Sequence, residues 1–140
     1  MITAFEFLDS VELTLEQRRE LLDCIDKYSV TPEGGWLRNI NYHGFVYYWE
    51  RDWEQRDIQG ALLPALKRIY LRPEQFMFLA APVAVHELRH YYQYCKYGKL
   101  LYRLLTVFGR LPLIGKLSPL EKDAFNEQDI AGKFIMENCQ

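Results

Sequence analysis

Two of the chain's three histidines stand in the run Val85-His86-Glu87-Leu88-Arg89-His90, an H-E-x-x-H spacing. On a helix, residues four apart differ by only about 40° around the axis, so both imidazoles leave one face about one turn apart. A pair of imidazoles at that separation suits one divalent ion, and zinc accepts nitrogen donors readily. Glu87 adjoins them on the same side. A carboxylate there can take a proton from a metal-activated water and later pass it to a leaving amine. The chemistry this spacing points to is hydrolysis of a peptide bond, with Zn2+ as cofactor, Glu87 as general base and a peptide or protein as substrate.

Three polar residues on a solvated helix face would give the same letters. Against that, Phe78 to Val85 carry no charged or hydrogen-bonding side chain. The helix is therefore expected to enter the interior, where a His or Glu needs a partner. Two histidines do not hold zinc firmly, because catalytic sites use three protein ligands. His43 is the one other histidine and falls in a predicted hairpin turn. A carboxylate from a following helix remains: Glu121, with Asp123 and Glu127 as alternatives. Glu121 also has a competing role, since Ser118-Pro119-Leu120-Glu121 has the form of a capping box in which Glu121 would bond the Ser118 backbone N–H. Tyr91, Tyr94 and Tyr102 are candidates for contact with substrate or an oxyanion by their nearness in sequence; packing is the more ordinary role for each. Arg89 lies off the ligand face and reads as a surface ion-pair partner.

The elements that must position these groups follow from periodicity and caps. Thr14-Leu-Glu-Gln17 is a capping box opening a helix to about Tyr28, with apolar Leu15, Leu21, Leu22 and Ile25. Thr31-Pro-Glu-Gly-Gly35 breaks the chain. Trp36–Tyr42 and Phe45–Trp49, separated by His43-Gly44, predict a hairpin. Asp52–Gln59 is mostly polar, and Ala61–Leu66 reads as a short helix containing Pro64. Lys67–Arg72 reads as an edge strand with Ile69 and Leu71 on one face, stopped by Pro73; it is either placed to hold an extended peptide or an ordinary edge blunted by its Lys and Arg. Pro82 fits the first turn of the motif helix, which ends at a C-cap Gly98. Leu100–Phe108 predicts a short greasy helix, followed by a loop over Gly109–Gly115. The last helix starts at Ser118 and turns Leu120, Ala124, Ala131, Phe134 and Ile135 inward to about Met136.

His86-Glu87-Leu88-Arg89-His90 followed by Glu121-Lys122-Asp123-Ala124 resembles the zincin-type metallopeptidases, and among them the gluzincins, whose third ligand is the Glu of an E-x-x-A segment on the next long helix. Gln93 is similar to the H-E-L-x-H-x-x-Q form of small bacterial and phage-associated peptidase-like domains. The metzincin pattern is excluded, because Gln93 and Lys96 stand where it needs Gly and His. The resemblance spans about residues 67–134. It implies an α+β fold: a minimal zincin-like domain with a small, mostly antiparallel sheet packed on the H-E-x-x-H helix and a ligand-bearing helix after it. It also implies His86, His90 and Glu121 as zinc ligands. Many gluzincins carry Asp directly after the alanine; Phe125 stands here, so Asp123 or Asp129 would have to orient a histidine instead. The alternative reading is a catalytically silent zincin-derived binding or structural module, phage- or secretion-associated. A di-iron reading of Glu87-x-x-His90 fails for want of a second E-x-x-H.

With 140 residues, about half of them apolar, the chain predicts a single domain over 1–140, in which residues 1–66 supply an N-terminal helix and hairpin. A net charge of −2 gives no general attraction to nucleic acid. Neither a leader-like run nor a membrane-spanning one is found, so a cytoplasmic protein without stable membrane insertion is expected. Three scattered cysteines predict reduced thiols. From Leu88 through Leu120 there is no acidic residue, while Arg89, Lys96, Lys99, Arg103, Arg110 and Lys116 are all basic. Such a stretch can meet an anionic membrane surface or an acidic substrate, or be a core-packed segment with solvated cations.

Overall fold

A computed structural model describes residues 11–50, 59–72, 77–109 and 119–139, and within them the chain is α+β. Thr14 and Gln17 form the reciprocal box: the Gln17 N–H donates to Thr14 Oγ1 at 3.2 Å and the Thr14 N–H to Gln17 Oε1 at 3.0 Å. They start α1 (Leu15–Ser29), which buries Leu21, Cys24, Ile25 and Tyr28 and leaves Leu15 exposed.

The expected hairpin does not form. Two 3₁₀ turns, Gly35–Asn39 and Tyr42–Gly44, occupy its first arm and its turn, with Asn41 in the left-handed region at φ 45° between them. The chain leaves α1 too tightly for a strand: a Cβ on Gly34 would collide with the Tyr28 carbonyl oxygen. The backbone then bonds locally, Leu37 N–H to Gly34 and Ile40 N–H to Leu37, instead of entering a ladder. Leu37, Ile40, Tyr42 and Phe45 still reach the core. Their bulk demanded burial, which a turn supplies as well as a strand does.

The sheet contains β1 (Val11–Glu12), β2 (Val46–Trp49), β3 (Gly60–Leu63) and β4 (Arg68–Leu71), in the order β1-β2-β4-β3. The outer pairings are antiparallel, but the central pair β2/β4 is parallel, Val46 opposite Arg68 through Trp49 opposite Leu71. The sheet is therefore mixed rather than mostly antiparallel. β4 is an interior strand and not the expected edge, with Ile69, Tyr70 and Leu71 all buried, as a strand covered on both faces requires. The predicted helix at Ala61–Leu66 is instead β3 followed by a 3₁₀ turn at Pro64–Leu66. Lys67 at φ 51° then turns the chain into β4.

The motif helix α2 (Met77–Tyr97) begins earlier than its proline suggests, so Pro82 lies inside it rather than in its first turn. One helical hydrogen bond is lost there. The ring packs on a glycine: a Cβ added at Gly132 would sit 3.6 Å from Pro82 Cβ and Cγ. Ala80, Ala81, Val83, Ala84, Val85 and Leu88 are buried. Gly98 ends the helix at φ +84°, its N–H donating to Tyr94 O at 3.0 Å. α3 (Lys99–Gly109) follows, then α4 (Pro119–Asn138) with Leu120, Ala124, Glu127, Ala131 and Ile135 buried along one stripe. Small residues on both helices let α2 and α4 run close together. Most of the polar run 52–59, together with Pro73, the loop after Gly109 and Ser118, lies outside the described residues. No described helix is long and apolar enough to cross a membrane.

Candidate metal centre

α2 presents His86 and His90 one turn apart, and the first turn of α4 brings Glu121 against them. The Glu121 carboxylate meets His90 Nε2 in a close ion pair and lies 3.8 Å from His86 Nε2. Ligand atoms of the three residues all lie within 4.8 Å of one another. Tetrahedral zinc with bonds near 2.0–2.2 Å separates its donors by roughly 3.4 Å, so this group fits such an ion once the His90–Glu121 contact opens slightly. Two imidazoles and a carboxylate are also a donor set zinc accepts. Glu87, 7 % exposed, sits beside them with Oε2 3.9 Å from His86 Nε2.

Burial raises the Glu87 carboxyl above the ordinary carboxylate range, against the opposite pull of His90 and His86. Glu121 moves the other way. Burial works to raise it, but hydrogen bonds from both histidines outweigh that and hold its carboxyl well below the usual range. For His90 burial opposes protonation, yet Glu121 and Glu87 prevail and its pKa rises. Two carboxylates in one site are thus driven apart, one stabilised as an anion and one inclined to hold a proton.

A second set of side chains fixes the first. Gln93, 2 % exposed, donates through Nε2 to Leu120 O and to Asp123 Oδ2, both at 2.9 Å. Both partners are acceptors, so Oε1 must be the atom 2.8 Å from His90 Nδ1. His90 therefore carries a hydrogen on Nδ1 and turns Nε2 to the site. Arg89 anchors Asp123 through Nε at 2.6 Å and NH2 at 3.1 Å. Its guanidinium lies over Trp36 and Tyr92, 5.0 and 4.7 Å from the ring centroids, so it is half-buried rather than a surface partner.

The two alternative ligands are not in the group. Asp123 supports Gln93, while Glu127 accepts from Tyr28 Oη at 3.1 Å and from Trp36 Nε1 at 2.9 Å. Asp129 is exposed, and His43 pairs with Asp26 at 2.9 Å. Of the three tyrosines, Tyr102 has its ring centroid 6.5 Å from that of His90. Tyr94 packs on Tyr102 at 5.7 Å, and Tyr91 meets Phe45 edge-on at 4.8 Å, turned toward the core. Sequence reasoning missed two neighbours. Phe125 lies edge-on to His86, ring centroids 4.6 Å apart, where a carboxylate was sought. Gly60 lets β3 approach Glu87 so closely that an added Cβ would stand 3.3 Å from Oε2 and 2.7 Å from Val83 Cγ1. Nothing in the residue spacing announced either contact. Among the described residues His86 Nδ1 has no hydrogen-bond partner.

No family model, curated protein or solved structure matches the chain.

Proposed function

We propose that the chain is a zinc-dependent peptide-bond hydrolase built as a minimal zincin-like domain. The observation that supports this most is the convergence of His86, His90 and Glu121 with a buried Glu87 beside them, His90 being held in one tautomer. Zinc held there supplies Lewis-acid polarisation of a carbonyl and brings the pKa of water down to about 7.

The chain's own residues do the rest. Gln93 keeps His90 Nε2 aimed at the site, and Glu121 adds the anionic donor. Glu87, its carboxyl raised by burial, accepts a proton from the attacking water and returns it to the leaving amine. Among the described residues β3 is the sheet edge on the Glu87 side, and its unpaired main-chain groups suit an extended peptide. Tyr102, nearest His90, is the best placed of the tyrosines to contact substrate.

Metal content and peptide hydrolysis, measured on wild type, Glu87→Gln and Glu121→Ala, test the proposal. Glu87→Gln is expected to keep zinc and lose hydrolysis, and Glu121→Ala to lose both. Wild type that takes up no zinc refutes the reading, and zinc-loaded wild type that binds peptides without cleaving them favours the silent module.

A further inference from the structure

A surface helix ordinarily turns its apolar stripe to the core. The described side chains of α3, Lys99–Leu104, do the reverse. Among them Tyr102 is the one directed at α2, stacked edge-on to Tyr94 and bordering His90. Leu100, Leu101 and Leu104 point outward, 73 %, 44 % and 46 % exposed. Leu100 and Leu104 are one turn apart with Leu101 beside them, so they form one patch. Lys99 and Arg103, also one turn apart, border it on one side; Lys96 lies just before it at the end of α2, and all three are exposed.

Along the sequence, too, cations gather around this helix, Arg89 among them being paired with Asp123. Residues 88–120 hold six Lys or Arg and no Asp or Glu, while all nineteen acidic residues lie elsewhere with the other eleven basic ones. We propose that this face of α3 docks the protein on an anionic lipid surface. Leucines at the headgroup boundary with cations reaching up to phosphates satisfy both halves of the patch at once. Nucleic acid would meet the cations and leave the leucines in water. A symmetric pair of chains would cover the leucines but set Lys99 and Arg103 of each copy near those of the other. Because Tyr102 belongs to the same helix, docking holds the metal centre within roughly one helix diameter, about 10 Å, of the headgroups. If the hydrolase reading holds, its substrates are then peptide segments lying at a membrane surface.

The test is sedimentation of the full chain with vesicles of phosphatidylcholine alone or mixed with phosphatidylserine, at low and high salt. Binding is expected to the mixed vesicles only and to weaken with salt. Lys99→Glu with Arg103→Glu should lower it at least 25-fold, roughly fivefold for each cation lost, and Leu100→Ser with Leu104→Ser should abolish it. These side chains are exposed, and circular dichroism with zinc content checks that each variant is folded. Four results overturn the proposal: no binding to the mixed vesicles, equal binding to both kinds, binding indifferent to the leucine substitutions, or self-association that Leu100→Ser removes while vesicles are ignored. Glu87→Gln protein should bind vesicles like wild type, so a failure of docking and a failure of hydrolysis are read separately.

Discussion

Replacing Gln93 by leucine removes the group that sets the His90 tautomer while keeping the volume of a buried side chain. Gln93 Oε1 is the acceptor for His90 Nδ1–H at 2.8 Å, and no other partner for that hydrogen is found among the described residues. A buried donor left without an acceptor costs about 1–3 kcal/mol. Asp123 loses one donor but keeps both contacts from Arg89, and Leu120 O still serves its helix, so the loss is concentrated on the imidazole. Losing a partner that orients a metal-binding histidine lowers metal affinity about 10–100-fold. That range is about 1.4–2.8 kcal/mol, the same size as the orphaned hydrogen bond, because both figures describe one interaction. Zinc affinity by chelator competition, beside melting curves with and without zinc, measures the two together. Gln93→Glu sharpens the test. Its carboxylate would face Asp123 Oδ2 at about the 2.9 Å now spanned by an N–H donor, so Gln93→Glu should lose affinity at neutral pH. A folded Gln93→Leu protein with wild-type zinc affinity would show that Gln93 does not orient His90 for metal.

Glu127→Leu strands the Tyr28 hydroxyl and the Trp36 indole N–H and should cost about 2–4 kcal/mol in denaturant unfolding, yet leave zinc affinity unchanged; loss of zinc would make Glu127 a ligand after all. Gly60→Ala drives a methyl to 2.7 Å from Val83 Cγ1 and 3.3 Å from Glu87 Oε2. A loss of about 1–3 kcal/mol of stability is expected, with slower peptide hydrolysis at full zinc content, and an unchanged melting point and rate would contradict that crowding. Burial first, then the hydrogen bond to Asp26, pushes the Tyr42 hydroxyl up to about 12. An unfolded tyrosine ionises near 10, so this group stabilises the fold fully below about pH 10, and the contribution is lost as pH rises through 12. It amounts to roughly 2–3 kcal/mol. Unfolding midpoints between pH 9 and 12 should fall with a slope that Tyr42→Phe reduces.

The parts legible in the sequence were those specified locally. The Thr14–Gln17 box, the α2 stripe ending at Gly98 and the α4 stripe from Leu120 to Ile135 follow from caps and a 3.6-residue period, and all three formed. Glu121 could be sought because two imidazoles need a third donor, and the structure brings it to them. Asp123 was named as a stand-in for a missing carboxylate, but its route through Gln93 depends on a contact between helices that no spacing reveals. The sheet was the poorest part. Parallel pairing of β2 with β4 is a non-local choice, and Gly60-Ala-Leu-Leu63 contains good helix formers that only tertiary pairing holds extended. The aromatic run at Trp36–Tyr42 suggested a strand because bulk and β-propensity coincide, whereas Gly34 and the left-handed Asn41 decided for turns. Pro82 marked a helix start by rule, but Gly132 on the facing helix gives its ring a place inside α2. The partners of Glu127 come from Tyr28 and Trp36, far away in sequence, so its burial had no local sign.

Diffraction from crystals of the zinc-loaded protein at the zinc absorption edge locates the ion among His86, His90 and Glu121. One anomalous peak is expected, about 2.0–2.2 Å from a nitrogen of His86, Nε2 of His90 and the Glu121 carboxylate. A peak elsewhere, or none in crystals where Glu121 still pairs with His90, would contradict that placement.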